Sequence, residues 1–247
     1  MTNPLDMLRF KLQDLRRLLF QTRDRNFIGF PKYRNHGAYH WRNLSHSDTY
    51  QRLVEYVVGH VAPTARCLDL GCGDAACTGA VAQVCRETVG VDADFDAIRL
   101  AKTLLFEHGI QNCQVYQTPL SQVSRILPTA TNSFDIVYAI DVIEHLPNPE
   151  ELLHVAANCC KPRGVVLIGT PVFQSRESMS IHHVREYTVD EFRSLMTEHF
   201  AVVRIETIPY QRGKGDLIPD GYMFAVAQCE SARLATFSGS ASRELFK

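Results

Sequence analysis

An α/β fold, doubly wound around a seven-stranded, mostly parallel sheet whose last strand runs antiparallel, is the architecture this sequence predicts. Three observations lead to it. From Cys67 onward, short apolar runs of strand length alternate with helical patterns, the order that places a parallel sheet between two helix layers. The first run ends in a glycine turn, CLDLGCGDA, which puts a ligand-binding bend at a strand's carboxyl end. The last two runs have no helical pattern between them, so they read as an antiparallel hairpin at one edge.

Taken in order, the elements begin with Leu5, Leu8, Leu12, Leu15 and Leu19, a helical stripe over Leu5–Phe20. A basic and aromatic stretch, Arg23 to Arg42, follows. Ser47 to Val61 reads as a helix capped by Ser47 or Asp48. Then come the strand CLDL, a helix over Thr78–Cys85 and the strand TVGVD. A helix over Phe95–His108 follows, with Asp94 as its cap, and then the strands CQVYQ and FDIVYAI. A helix over Pro149–Cys160 leads to the strand GVVLIGTP, and a helix capped by Thr188 covers Val189–Glu198. VVRIETI and YMFAVAQ close the domain, with Pro209–Gly221 as a long connection. Residues 1–60 thus read as a helical lid, 61–230 as the ligand-binding domain, and 231–247, rich in Ser and Ala, as a flexible tail.

The chain's 247 residues suffice for one sizeable core. A net charge of −1 argues against a surface built wholly for nucleic acid, while leaving room for a local basic cleft. The eight cysteines are scattered, with no CxxC pair. They read as reduced and structural, which implies a cytoplasmic location. No apolar run approaches the ~20 residues of a membrane span.

In CLDLGCGDA, Gly71 and Gly73 lack a Cβ, so the backbone can turn sharply and approach a ligand closely. Asp69 stands two places before the turn. A dinucleotide site needs that turn to cradle a pyrophosphate, and Gly71-x-Gly73-x-x-Ala76 meets the looser form of that pattern. An acid beside the turn instead favours a cofactor with a cationic amino-acid end and no phosphate, namely S-adenosylmethionine. VGVDAD places Asp92 at the end of the second strand, 23 residues after Asp69, where it can accept hydrogen bonds from two ribose hydroxyls.

With LDLGCGDA, VGVDAD, FDIVYAIDVIEHLPNPEELL, CKPRGVVLIGTP and the final strand pair in this order, Cys67 to about Gln228 resembles the class I S-adenosylmethionine-dependent methyltransferases, whose fold is Rossmann-like. The resemblance implies a cofactor site at Asp69, Gly71, Gly73, Asp92, Ala93, Gln117, Thr118 and Asp141. Two departures stand out. Ala75 occupies the place of a frequent third glycine, and Gln117 that of a common acid on the third strand.

Acceptor chemistry falls to Asp141–His145. Methyl transfer needs a nucleophile held in line and a base for its proton. His145, with an ordinary pKa near ~6.5, and Glu144 are the candidate catalytic pair. Tyr39 and Trp41 are candidates to line the acceptor pocket, and Arg23, Arg25, Lys32, Arg34 and Arg42 to meet an anionic acceptor. The preferred partner is a small-molecule acceptor methylated on oxygen, a metabolite or sugar. A weaker resemblance, to the metal-dependent small-RNA 3′-terminal 2′-O-methyltransferases, rests on Asp141-x-x-Glu144-His145 and the later IHHVREYT. It implies a divalent ion on Asp141, Glu144, His145 and His183 and RNA as acceptor, although PVFQS departs from that family's asparagine-rich signature. Such a donor set suits Mn²⁺, Fe²⁺ or Zn²⁺ better than Mg²⁺. The same residues also leave room for a catalytically silent cofactor-binding module and for a nicotinamide oxidoreductase.

Overall fold

The computed structural model of the protein describes residues 32–211 and 215–229. The expected helix over Leu5–Phe20, Arg23, Arg25 and the tail from Ser231 lie outside them. The described chain starts with α1 (Lys32–His36), α2 (Tyr39–His46) and α3 (Asp48–Val58). It continues with β1 (Arg66–Leu70), α4 (Ala76–Ala82), β2 (Glu87–Asp92), α5 (Phe95–Glu107), β3 (Cys113–Gln117) and α6 (Val123–Ile126). β4 (Phe134–Ile140), α7 (Pro149–Cys159), β5 (Cys160–Pro171), α8 (Val189–His199), β6 (Val202–Gln211) and β7 (Leu217–Gln228) complete it.

The seven strands form one sheet in the order β3-β2-β1-β4-β5-β7-β6. β1 to β5 pair in parallel, and β7 is antiparallel to both β5 and β6. The strand order reverses between β1 and β4, and ligands bind at such a switch point, outside the carboxyl ends of the strands.

Period-two alternation divides the strand side chains between two helix layers. Leu68, Leu70, Val137, Ala139, Val166 and Ile168 pack with α7 and α8 residues such as Leu152, Ala156, Phe192 and Met196. Cys67, Ile136, Tyr138, Leu167 and Phe224 face the other way, onto Leu53, Val54 and Val57 of α3 and onto Val81 of α4. A smaller cluster seats Ile98, Ala101 and Leu105 of α5 against Cys72 and Val115.

The caps follow local chemistry. Ser47, rather than Asp48, caps α3 by accepting from Tyr50 N. Asp94 accepts from Ala97 N at 2.8 Å to start α5. Thr188 and Glu191 form a reciprocal capping box at α8.

Several expectations need correction. Pro209–Gly221 is not one long connection. After an irregularity at Pro209 the pairing resumes, with Tyr210 opposite Ile218 and Gln211 opposite Leu217. The expected antiparallel hairpin does lie at one edge of the sheet, with β6 outermost and β7 between β5 and β6. α4 begins two residues earlier than expected, at Ala76, and β5 begins at Cys160 rather than Gly164. α1 and α2 stand where the sequence shows no apolar stripe: α1 buries Tyr33 and α2 buries no residue. All eight cysteines are unbridged.

Candidate cofactor and acceptor site

A cavity of about 980 Å³ opens at the carboxyl ends of β1, β2, β4 and β5, roofed by α1, α2 and α3. Among the expected site residues, Gly71, Asp92, Ala93, Thr118, Asp141, His145 and His183 line it. Asp69, Gly73, Gln117 and Glu144 do not.

The glycine turn is built from two left-handed residues. Gly71 has φ +89°, and a Cβ there would come within 2.4 Å of Val142 Cγ2. Gly73 has φ +55°, and its Cβ would come within 2.0 Å of the Tyr33 hydroxyl. Ala75 is also left-handed, at φ 62°. That explains why glycine suits this position, where alanine costs roughly 1–2 kcal/mol.

Asp92 closes the turn from the second strand. Its carboxylate accepts from Gly73 N and from Asp94 N, both at 2.8 Å. Burial pushes its pKa up to about 6. Asp69 lies one layer below the cavity, buried, and accepts from Thr78 Oγ1 at 2.7 Å. Burial pushes its pKa up to about 7. Gln117 is exposed and reaches only the Ala93 carbonyl, at 3.4 Å. Thr118 is buried beside it, and its N–H donates to the Asp92 carbonyl at 2.8 Å.

At the end of β4, Asp141 takes a left-handed conformation, φ 54°. Its Oδ1 is buried without a hydrogen-bond partner. Glu144 is fully buried, and its Oε2 accepts from Thr170 Oγ1 at 3.0 Å. Its Oε1 has no hydrogen bond. Burial, reinforced by the Asp141 charge, raises the Glu144 pKa well above the ordinary carboxylate range. Its backbone carbonyl accepts from Val184 N at 2.7 Å and Arg185 N at 3.2 Å, which draws the segment carrying His182 and His183 against the His145 turn.

His145 Nδ1 lies 2.9 Å from the His182 carbonyl. A carbonyl only accepts, so Nδ1 carries the proton and Nε2 the lone pair. The ordinary pKa expected of this imidazole is corrected: burial, then the adjacent His183, pushes it down to about 3. The His183 ring meets the His145 ring edge-on at 4.8 Å, and its Nδ1 pairs with Glu186 at 2.6 Å. Glu144, His145 and His183 thereby place one donor atom each within 4.8 Å of one another. Asp141, the fourth residue of the expected ion set, is not part of that group.

The helices of the roof carry Tyr39, an expected pocket residue, together with others that pattern reading did not single out. Tyr33 is buried with its hydroxyl against Gly73 and 3.1 Å from His40 Nδ1. The His40 backbone N–H donates to the Asp74 carboxylate at 2.9 Å. Tyr39 lines the cavity, under the Lys32 ammonium at 3.8 Å. Trp41 does not line it; its ring stacks on His108 at 4.3 Å and its Nε1 donates to the Asp74 carbonyl. Of the described cations expected to meet an acceptor, Lys32 faces the cavity. Arg34 instead pairs with Asp96, and Arg42 donates to the His36 carbonyl. Tyr50 and Arg52 of α3, and Tyr210 and Leu217 of the last hairpin, complete the wall. Helical and strand periodicity marks these as ordinary positions, so no sequence signal singles them out.

A family model described as a methyltransferase domain matches residues 33–208. Among curated proteins, the ubiquinone biosynthesis O-methyltransferase of Azoarcus sp. is 32% identical over 118 residues, covering 47% of this chain and 49% of that protein. The protein of that name from Escherichia coli is 26% identical over 140 residues, 54% of this chain and 57% of its own. The chain therefore spans about half the length of the curated relatives it matches. Among solved structures, the YcgJ protein of Bacillus subtilis superposes with a TM-score of 0.61 at 15% identity, over 74% of this chain and 100% of its own. A SAM-dependent methyltransferase from Aquifex aeolicus gives 0.58 at 15% identity, over 76% and 92%. At such identities the superpositions show a shared fold.

Proposed function

The chain belongs to the methyltransferase-domain family, and on that basis we propose that it carries the methyl group of S-adenosylmethionine to a hydroxyl oxygen of a small metabolite. The observation that supports this best is a single continuous cavity. It runs from the glycine turn and Asp92 to the His145 mouth, so a cofactor and an acceptor fit end to end. Asp92, Asp94 and Asp141 face that cavity. Their acidic wall suits a sulfonium and an ammonium and repels a pyrophosphate, which disfavours a nicotinamide cofactor.

When bound, S-adenosylmethionine supplies an electrophilic methyl group on a cationic sulfur. The chain's own groups do the rest. Asp92 receives the ribose hydroxyls, since a carboxylate has roughly four acceptor positions and two are taken by backbone N–H groups. Ala93 and Thr118 flank the adenine end, with Gln117 acting only through the Ala93 carbonyl. Gly71 admits the methionine end, and the Asp141 carboxylate, backed by the buried Tyr222, faces the cavity beside it. Asp69 acts from beneath, holding Thr78 and the start of α4. His145 accepts the acceptor's O–H at Nε2 and orients the oxygen lone pair toward the methyl group. The proton released on methylation would pass to His145 Nε2 and from there to solvent. Glu144 supports the loop from behind. An imidazole with so low a pKa is a weak base, so a phenolic or enolic hydroxyl is the acceptor it serves best.

Methyl transfer from labelled S-adenosylmethionine to matched phenols and aliphatic alcohols tests this reading. Labelling of a phenol and not of its cyclohexanol counterpart is expected. No labelling of any hydroxyl compound, with cofactor binding intact, would return the chain to a silent module.

The convergence of Glu144, His145 and His183 supports a second reading, a divalent ion at the acceptor mouth. The residues fit such an ion. Each imidazole has Nδ1 engaged by an oxygen and aims Nε2 elsewhere, and Glu144 Oε1 lacks a hydrogen bond. Two imidazoles and a carboxylate suit Mn²⁺, Fe²⁺ or Zn²⁺. In that reading the ion holds vicinal hydroxyls, such as those of a terminal ribose of RNA. Transfer that resists a strong chelator removes it.

A further inference from the structure

Outside the cavity, α7 and α8 bring a second group of donors together. Glu150 and His154 are four residues apart on α7, hence on one face of it, and His199 ends α8. One atom from each lies within 4.8 Å of the others. We propose that Glu150, His154 and His199 form a divalent transition-metal site, of the zinc class, that clips α7 to α8.

Three features carry it. His154 Nδ1 meets the Glu150 carbonyl at 2.8 Å, which places its proton on Nδ1 and leaves Nε2 as a lone pair, the usual state of a ligating imidazole. His199 Nε2 is buried and in direct contact with the Glu150 carboxylate, so two of the three donors already meet across the helix pair. The His154 and His199 rings meet edge-on at 5.0 Å, converging from different helices. Tetrahedral zinc with bonds near ~2.0–2.2 Å needs donors roughly 3.4 Å apart. The exposed His154 and the partly exposed Glu150 have the freedom to adjust to that spacing, Glu150 by drawing back from His199 and His154 by swinging toward both. Water would take the fourth position.

This group is separate from the acceptor mouth. Glu151 lines the cavity, while Glu150, about 100° round the helix, faces α8. α7 follows the Glu144–His145 turn, and α8 follows the segment bearing His183. An ion here therefore joins the two helices that continue from both sides of the mouth, and the site does not depend on methyl transfer.

The test uses the full chain carrying His145→Ala and His183→Ala, so that the cavity group cannot contribute. It is stripped of metal and titrated with Zn²⁺ against a chromophoric chelator. One equivalent is expected to bind. Adding His154→Ala, an exposed substitution that leaves the core intact, should weaken binding by at least about 100-fold, the upper end of the ~10–100-fold typical for losing an outer partner alone. Glu150→Gln should weaken it as well. Co²⁺ should give the visible absorption of a tetrahedral site, which His154→Ala abolishes. Absence of a one-equivalent site, or zinc affinity unchanged by His154→Ala, overturns the proposal and leaves a plain ion pair between the helices.

Discussion

Gly73→Ala tests whether the roof seats on the glycine turn. The new methyl would lie 2.0 Å from the Tyr33 hydroxyl and 3.0 Å from its Cζ, against an ordinary contact of 3.4 Å or more. The phenol must therefore withdraw by about 1.4 Å at the least. That breaks its contact with His40, a loss of roughly 0.5–1.5 kcal/mol. Overpacking a filled site adds roughly 1–3 kcal/mol. An alanine at φ +55° adds about 1–2 kcal/mol of backbone strain. The single substitution should thus cost roughly 2.5–6.5 kcal/mol in total. Tyr33→Ala removes the obstructing ring, so in the double variant only the backbone strain should accompany the loss of the tyrosine. Urea unfolding of all four proteins measures the coupling, expected at about 1.5–4.5 kcal/mol, the overpacking and the lost His40 contact together. A coupling within about 0.5 kcal/mol of zero would mean that Tyr33 does not rest on Gly73, and the account of the roof would fail.

Asp92→Ala should weaken S-adenosylmethionine by roughly 100-fold, since two charge-assisted hydrogen bonds of about 1.5 kcal/mol each are lost; calorimetry showing undiminished affinity would refute the ribose assignment. For Asp69 the folded pKa of about 7 lies above the unfolded value of 3.8, so the folded state holds the extra proton and stability declines as pH rises between them. Asp69→Asn should therefore lose less stability than the parent between pH ~4.5 and ~7.5; equal losses would contradict the burial argument. His145 has the opposite sign: its folded pKa of about 3 lies below 6.5, so its contribution is present at neutral pH and disappears as pH falls through that window. His145→Gln should unfold less readily than the parent on acidification, and it should lower kcat more than cofactor affinity.

The glycine turn and Asp92, where we propose that the cofactor binds, were largely legible in the chain because they are local. A turn that needs positive φ selects Gly71 and Gly73, and an acid ending the next parallel strand must fall beside it, as Asp92 does. The acceptor half was legible only as a set of candidates. His145 and His183 are 38 positions apart, and two hydrogen bonds to the Glu144 carbonyl bring their segments together. The low His145 pKa follows from burial, which no spacing reveals. Tyr33, Arg52 and Tyr210 come from separate elements whose periodicity marks them as ordinary.

What the sequence determined alone is the alternation of strands and helices, the bend after β1 and the caps at Asp94 and Thr188, because each depends on neighbours a few residues away. What only the tertiary structure decided is β7's place inside the sheet, Asp69's position beneath the cavity rather than on its wall, and the raised pKa of Glu144 and lowered pKa of His145. These depend on which distant groups are packed together and on how much water that packing removes, and desolvation is a property of the assembled surroundings, not of a residue's own chemistry.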